Sequence, residues 1–251
     1  MLAAGWLLAS TSFGETPPTT DSPTTAAFAA RFQRIYQESL TRWRAEGTNA
    51  EAAWQFARAS FDWADYSTND AQRADIAERA IEGCRRALQL EPKLAAAHYY
   101  LALNLGQLAR TKLLGALKLV QEMEEHFKKT IELDPRLDYA GGHRSLGVLY
   151  RDAPGWPTSI GSRAKARQHL ESAVGLAPEY PGNQLEWLDS LLKWGDKKKA
   201  QTQVASIEKL LPGARAKFTG ERWQADWREW DQRWGQLKTK AAAHPPPDKV
   251  P

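Results

Sequence analysis

Apolar residues recur along the chain at the three- and four-residue spacing of an α-helix, in blocks closed by one short phrase. Phe28, Phe32, Ile35, Tyr36, Leu40 and Trp43 make one stripe, Trp54 and Phe61 mark a second, and Ile76, Ala80, Cys84, Ala87 and Leu88 fall on a third. No segment sustains the two-residue alternation of a half-buried strand, so the pattern predicts no sheet. The closing phrases are Leu90-Glu91-Pro92, Leu133-Asp134-Pro135 and Leu176-Ala177-Pro178, whose prolines lie 43 residues apart twice; Leu211-Pro212 follows after 34. Proline has no N–H to donate and pushes its predecessor out of the α region, so each phrase reads as a helix stop. Helix ends are therefore predicted at 90, 133, 176 and 211.

Each block also has a first helix with its own signature. His143, Leu146, Gly147 and Tyr150 fall at the spacing Trp-x-x-Leu-Gly-x-x-Tyr of the tetratricopeptide repeat. His98, Leu101, Ala102 and Leu105 repeat it one unit earlier, and Gln184, Trp187, Leu188 and Leu191 give a weaker copy one unit later. A small residue lets the second helix approach, and large ones fill the groove beside it. The fold class predicted is an all-α, tetratricopeptide-like solenoid of antiparallel helix pairs with extended 43-residue units. The extra residues lengthen the helix Leu113, Leu117, Val120, Met123, Phe127, Ile131 in one unit. In the next they form the loop 151–161, with Pro154, Gly155, Trp156, Pro157 and Gly161.

After the last repeat, Trp223, Trp227, Trp230 and Trp234 recur at spacings of four, three and four, which puts four indoles on one helical stripe. The opposite face mixes Arg222, Asp226, Arg228, Glu229, Asp231 and Arg233. A membrane-surface helix would carry an excess of Lys and Arg there. The stripe predicts a C-terminal Trp-rich capping helix over the open end of the solenoid, with a dimer seam as the alternative. Trp223, Trp227 and Trp230 are expected against helices 183–194 and 197–211, with Trp234 near the edge.

Composition changes this picture little. The 251 residues are 42% hydrophobic and carry a formal net charge of +4, with 34 basic groups against 30 acidic ones and only short like-charge runs. That balance argues against a nucleic-acid partner. Cys84, the single cysteine, excludes a disulfide within the chain. The apolar run at residues 1–14 resembles a signal peptide that lacks its basic start and is too short to span a bilayer. Residues 15–25 are a Pro/Thr linker expected to be disordered, and 26–212 are the repeat domain. Residues 213–239 are the capping helix, and 240–251 a Pro-rich tail expected to be disordered. The N-terminus implies a periplasmic or secreted protein with no membrane insertion of the mature chain.

Residues 85–212 resemble the T-component (TatT) family of TRAP-type transporters. The likeness rests on the long units, on His143-Arg144-Ser145-Leu146-Gly147-Val148-Leu149-Tyr150, and on the loop Ala153-Pro154-Gly155-Trp156-Pro157 followed by Gly161-Ser162-Arg163. The family tends to have a Gly-Gly-Asp at the last step, and this chain departs from it. The segment Glu124–Pro135 is also similar to eukaryotic regulators of microtubule dynamics, which share the elongated repeat. The first resemblance implies a cell-envelope binding scaffold, accessory to TRAP-type solute uptake, whose protein partner is a solute-binding protein.

No nucleotide, zinc-hydrolase or serine-hydrolase motif is present, and the reading is of a non-enzyme without cofactor or metal. Ser162-x-x-Lys165 matches a nucleophile spacing, but a serine opening a helix after Gly161 is better explained as an N-cap. On the repeat template Tyr99, Arg144 and Arg151 lie on the concave face, and with Trp156 they are the candidate binding residues. Paired arginines beside aromatics suit a small carboxylate ligand; in the alternative they pair with Asp138 and Asp152. A small-ligand carrier with a pocket behind the loop 151–161 is the second functional reading, and a homo-oligomer remains open.

Overall fold

The computed structural model describes residues 23–112 and 115–243. Among them are α1 (Pro23–Ala45), α2 (Ala50–Ala64), α3 (Asp70–Leu90), α4 (Ala95–Ala109), α5 (Ala116–Leu133) and α6 (Leu137–Asp152). They continue with α7 (Arg163–Leu176), α8 (Pro181–Lys193), α9 (Lys197–Lys217), a 3-10 turn at Glu221–Trp223 and α10 (Gln224–Ala242). No strand occurs among the described residues; the loop after α6 holds a single isolated bridge between Gly155 and Gly161. Helices pair as α2 with α3, α4 with α5, α6 with α7 and α8 with α9, with α1 packed on α2. This is an all-α, tetratricopeptide-like solenoid.

The repeat phrases act as the pattern requires. α3, α5 and α7 end at Leu90, Leu133 and Leu176, and the next residue closes each helix in the same way. Glu91, Asp134 and Ala177 donate their N–H to the carbonyls of Ala87, Thr130 and Ala173 at 2.8, 2.8 and 3.1 Å. Helix starts carry side-chain caps: Asn49 accepts from Glu51 and Ala52, Asn69 from Gln72, and Ser162 from Lys165. Gly147 shows why the signature needs a small residue, since a Cβ there would lie 2.7 Å from Cγ of Leu170 on the paired helix.

Two expectations need correcting. α9 does not stop at 211 but continues through Pro212 to Lys217. Pro212 is exposed and forfeits its own N–H bond, while Ala214 and Phe218 beyond it are buried, and Phe218 closes the helix on the Ala214 carbonyl at 2.8 Å. Packing past the proline outweighs the stop. The helix expected from Leu113 begins at Ala116; Leu113 itself lies outside the described residues. The assignments of 1–14 and most of 15–25, and of the tail beyond 243, also fall outside them.

One core runs from α2 to α10, and a smaller one joins α1 and α2 around Phe28, Phe32, Tyr36 and Phe56. α4 is buried nearly all round, as a central helix between neighbours on both sides must be. Cys84 is fully buried, and burial pushes its thiol well above the usual range.

Candidate functional site

The inner face centres on Arg144, whose side chain is 0% exposed and whose charge is met from several elements. Its guanidinium lies 2.9 Å from the Asp138 carboxylate, donates to Asn183 Oδ1 at 2.9 Å and to the Tyr99 hydroxyl at 3.3 Å, and sits 5.1 Å from the Tyr180 ring centre. The Tyr99 hydroxyl in turn donates to Asp138 at 2.8 Å. Asp138 is held there by an unusual start to α6: Asp138, Tyr139 and Ala140 take left-handed φ values of 51°, 55° and 61°. Non-glycine residues adopt that region only where surrounding structure over-determines them. The turn aims the carbonyls of Asp138 and Tyr139 at the same guanidinium, 3.3 and 3.4 Å away. It also stacks Tyr139 flat on Tyr180, with ring centres 4.6 Å apart.

Further along α6, Arg151 is buried among carboxylates. It reaches Asp152 at 2.7 Å, Glu186 at 3.0 Å and Asp189 at 3.1 Å, and donates to Ser190 Oγ at 3.0 Å. Lys193 closes the cluster, 3.2 Å from Asp189 and 3.5 Å from Asp152. Glu186, fully buried, has a second cation: Arg233 of α10 at 2.8 Å.

α10 covers this face. Trp223, Trp227 and Trp230 are buried and Trp234 is half-buried at the edge. Their ring partners lie outside the expected spans 183–194 and 197–211, at helix ends: Trp223 packs on Tyr139 and Tyr180, Trp230 on Tyr180, and both on Phe218. Trp227 donates its indole N–H to the Phe218 carbonyl at 2.7 Å. The helix packs on α8 and α9, as a cap would, but its leading end also reaches α1. There Arg31 donates to the Glu221 carbonyl at 2.6 Å, and Arg228 lies 5.9 Å from the Phe28 ring centre. Burial pushes Asp226 up to about 6 and Glu229 up to about 7, the latter opposed by Arg233.

Of the expected binding residues, Tyr99 and Arg144 touch, Arg151 lies along the same helix, and Trp156 stands apart. Both arginines face the chain's own carboxylates, Asp138 and Asp152 among them, in place of a ligand carboxylate. Trp156 is 89% exposed on the loop after α6, so it does not line a cavity with the buried Tyr99 and Arg144. That loop is braced: Gly161 N–H bonds the Pro154 carbonyl and Ser162 N–H the Tyr150 carbonyl, both at 2.8 Å. A Cβ on Gly161 would lie 2.1 Å from the Ala153 carbonyl, so the crossing tolerates only glycine.

Sequence reading missed Tyr139, Tyr180, Asn183, Glu186 and the inward reach of Arg233. A carboxylate and an arginine distant in sequence leave no periodic trace when they meet. Tyr180, next to the helix-opening Pro181, was the one with a legible position. Among the described residues no group of three or more His, Cys, Asp or Glu side chains is placed to hold a metal ion. No described helix is long and apolar enough to cross a membrane.

A family model, regulator of microtubule dynamics protein 1-3, matches residues 25–149. Regulator of microtubule dynamics protein 1 of Bos taurus is 33% identical over 106 residues, 41% of this chain and 33% of the relative. Regulator of microtubule dynamics protein 3 of Rattus norvegicus is 30% identical over 118 residues, 46% of this chain and 24% of that one. The chain thus spans about a third or less of these relatives. In fold it is similar to a thermophilic tetratricopeptide-repeat protein of Thermus thermophilus, with a TM-score of 0.62 at 16% identity over 86% of this chain and 95% of the other. The expected periplasmic or secreted localisation is overturned by these relatives, which are cellular proteins. The short apolar stretch behind that expectation lacks the basic residues that make a signal peptide specific. The transporter resemblance is carried by the residue pattern of 85–212 alone.

Proposed function

We propose that this chain is a non-catalytic binding scaffold: residues 26–212 form the helical-repeat domain, 213–239 cover its inner face, and the loop 153–161 presents Trp156 to a protein partner. The observation that carries the reading is the contrast between the inner arginines, engaged by internal carboxylates, and one indole held 89% exposed on a braced loop. A large aromatic on a rigid loop gives buried contact area at small entropic cost, which is the profile of an interface anchor. The name shared by the matched relatives supplies the first partner to test, polymerised tubulin together with the proteins bound to it.

Co-sedimentation with microtubules, with and without associated proteins, is the experiment. The chain is expected in the pellet, and Trp156→Ala should weaken that binding by about 30-fold, the loss of roughly 2 kcal/mol typical of an anchor residue. The melting temperature should not change, because an exposed side chain contributes little to the fold. Wild-type and variant chains pelleting equally would remove Trp156 from the interface, and neither pelleting would remove the microtubule reading.

A further inference from the structure

Repeat solenoids use their inner face to hold extended or helical segments of partners. Here a helix of the chain itself lies across that face. α10 and the turn that leads into it are engaged from α1 by Arg31, from α6 by Tyr139, from α8 by Glu186 and from the end of α9 by Phe218. A plug confined to the solenoid's open end would meet only the last pair.

The seam also differs from an ordinary core. Arg233 and Glu229 are side by side at 3.6 Å, and Arg233 reaches the fully buried Glu186. Buried charge gives registry more than stability, since desolvation offsets most of the attraction. Charged groups also gather where α10 begins: a cavity of about 320 Å³ is lined by Trp223 and Asp226 together with Arg58 and Asp62 of α2. On the other flank a cleft of about 570 Å³ lies between Trp227 and Phe28. The tether is the exposed pair Thr219-Gly220, with Gly220 at φ 85°, and no side chain caps the start of α10.

We infer that the inner face is a helix-receiving groove, that α10 is its own-chain occupant, and that the partner it takes in exchange is an amphipathic helix. Such a helix carries aromatic residues at i, i+4 and i+7, as Trp223, Trp227 and Trp230 do, and a basic residue three positions on to meet Glu186. This is helix-in-groove recognition, and α10 displays the template. The inference rests on the scaffold reading and assigns it a second surface, closed until α10 leaves.

The test cuts the tether of the full chain. A protease site inserted between Thr219 and Gly220 is cleaved after folding, and a fluorescent peptide of residues 221–243 is added. Exchange into the cleaved protein is expected. The uncut chain should bind the same peptide roughly 100-fold more weakly, because a short tether holds α10 at an effective concentration of about millimolar. Peptides carrying Trp230→Ala or Arg233→Glu should fail to exchange, and Arg233→Lys should retain most of the binding. A cleaved chain that keeps its own α10 against excess peptide, or that unfolds or aggregates on cleavage, makes α10 a fixed part of the core and overturns the inference. Peptide-sensitive dimers of the uncut chain would make a second copy the occupant and overturn the partner assignment. None of these outcomes bears on Trp156, whose variant reports separately on the scaffold reading.

Discussion

His98 and His143 occupy the same repeat position, and each finds a second imidazole on the paired helix. The Nδ1 atoms of His98 and His126 are 2.8 Å apart, and those of His143 and His169 are 3.0 Å apart. Only one proton fits between two such nitrogens, so each pair must hold at least one neutral ring. His98 Nε2 lies 3.1 Å from the Pro92 carbonyl, which fixes Nε2 as a donor and leaves Nδ1 to accept from His126. The next repeat builds the same clamp without a titratable group: Gln184 donates to the Pro178 carbonyl at 2.6 Å and accepts from Gln203 at 2.5 Å. All four histidines are pushed down from 6.5, His169 to about 4, first by burial. Lys129 adds to this at His98, His98 and Arg85 at His126, and His143, Lys128 and Lys165 at His169, against Glu132, Glu122 and Glu124. A depressed histidine pKa means the unfolded chain binds more protons, so the stabilisation is present above about 6.5 and lost as pH falls towards 4. Melting temperature should therefore drop between pH 7 and pH 4.5. A variant with His98, His126, His143 and His169 all changed to Gln, copying the third repeat, should lose much of that slope. A slope identical to wild type would show that other groups set it. Arg144 belongs to the same scale. Arg144→Met leaves Asp138 buried without its cation, and chemical denaturation should show a loss of about 3–5 kcal/mol.

At the scale of the element, α10 titrates in the opposite sense. Glu229 at about 7 and Asp226 at about 6 are raised carboxylates, so the folded chain holds more protons than the unfolded one between roughly pH 4 and 7. Stability from this seam is fully present below about pH 4 and is lost as pH rises through the folded values. Hydrogen exchange of α10 amides, corrected for intrinsic rate, should accelerate relative to α4 between pH 6 and 8. Equal acceleration in both helices would detach the effect from the two carboxylates. Trp230→Ala tests the apolar half of the seam, where the indole contacts Tyr180, Phe218 and Trp227. Truncating a buried indole should cost about 3–5 kcal/mol. α9 carries the opposite lesson about local signals, because its passage through Pro212 shows burial of Ala214 and Phe218 prevailing over a strong stop residue.

Across the whole molecule, the solenoid was legible because its causes are local and repeated. The Leu-x-Pro phrases, the small residue at Gly147 and the apolar stripes each act within one helix pair, and the repetition makes the pattern visible against noise. The Trp stripe likewise required a covering surface and pointed to α10, although the segment expected from 213 gives its first residues to α9 and the helix itself begins at Gln224. What the sequence could not carry was which side chains meet across turns of the solenoid. The pairings Arg144 with Asn183, Arg151 with Glu186, and Arg233 with Glu186 join residues whose separations follow no period. The left-handed turn at Asp138–Ala140 has no glycine to announce it. Repeat spacing determines that Tyr99, Arg144 and Arg151 point to the inner face, because side-chain direction follows from helix phase. Whether that face is open depends on where a distant helix folds back, and α10 folds across it to reach α1. The exposure of Trp156 was decided in the same way: the sequence placed an indole in a stiff loop, and only the path of the loop past Gly161 set it in solvent.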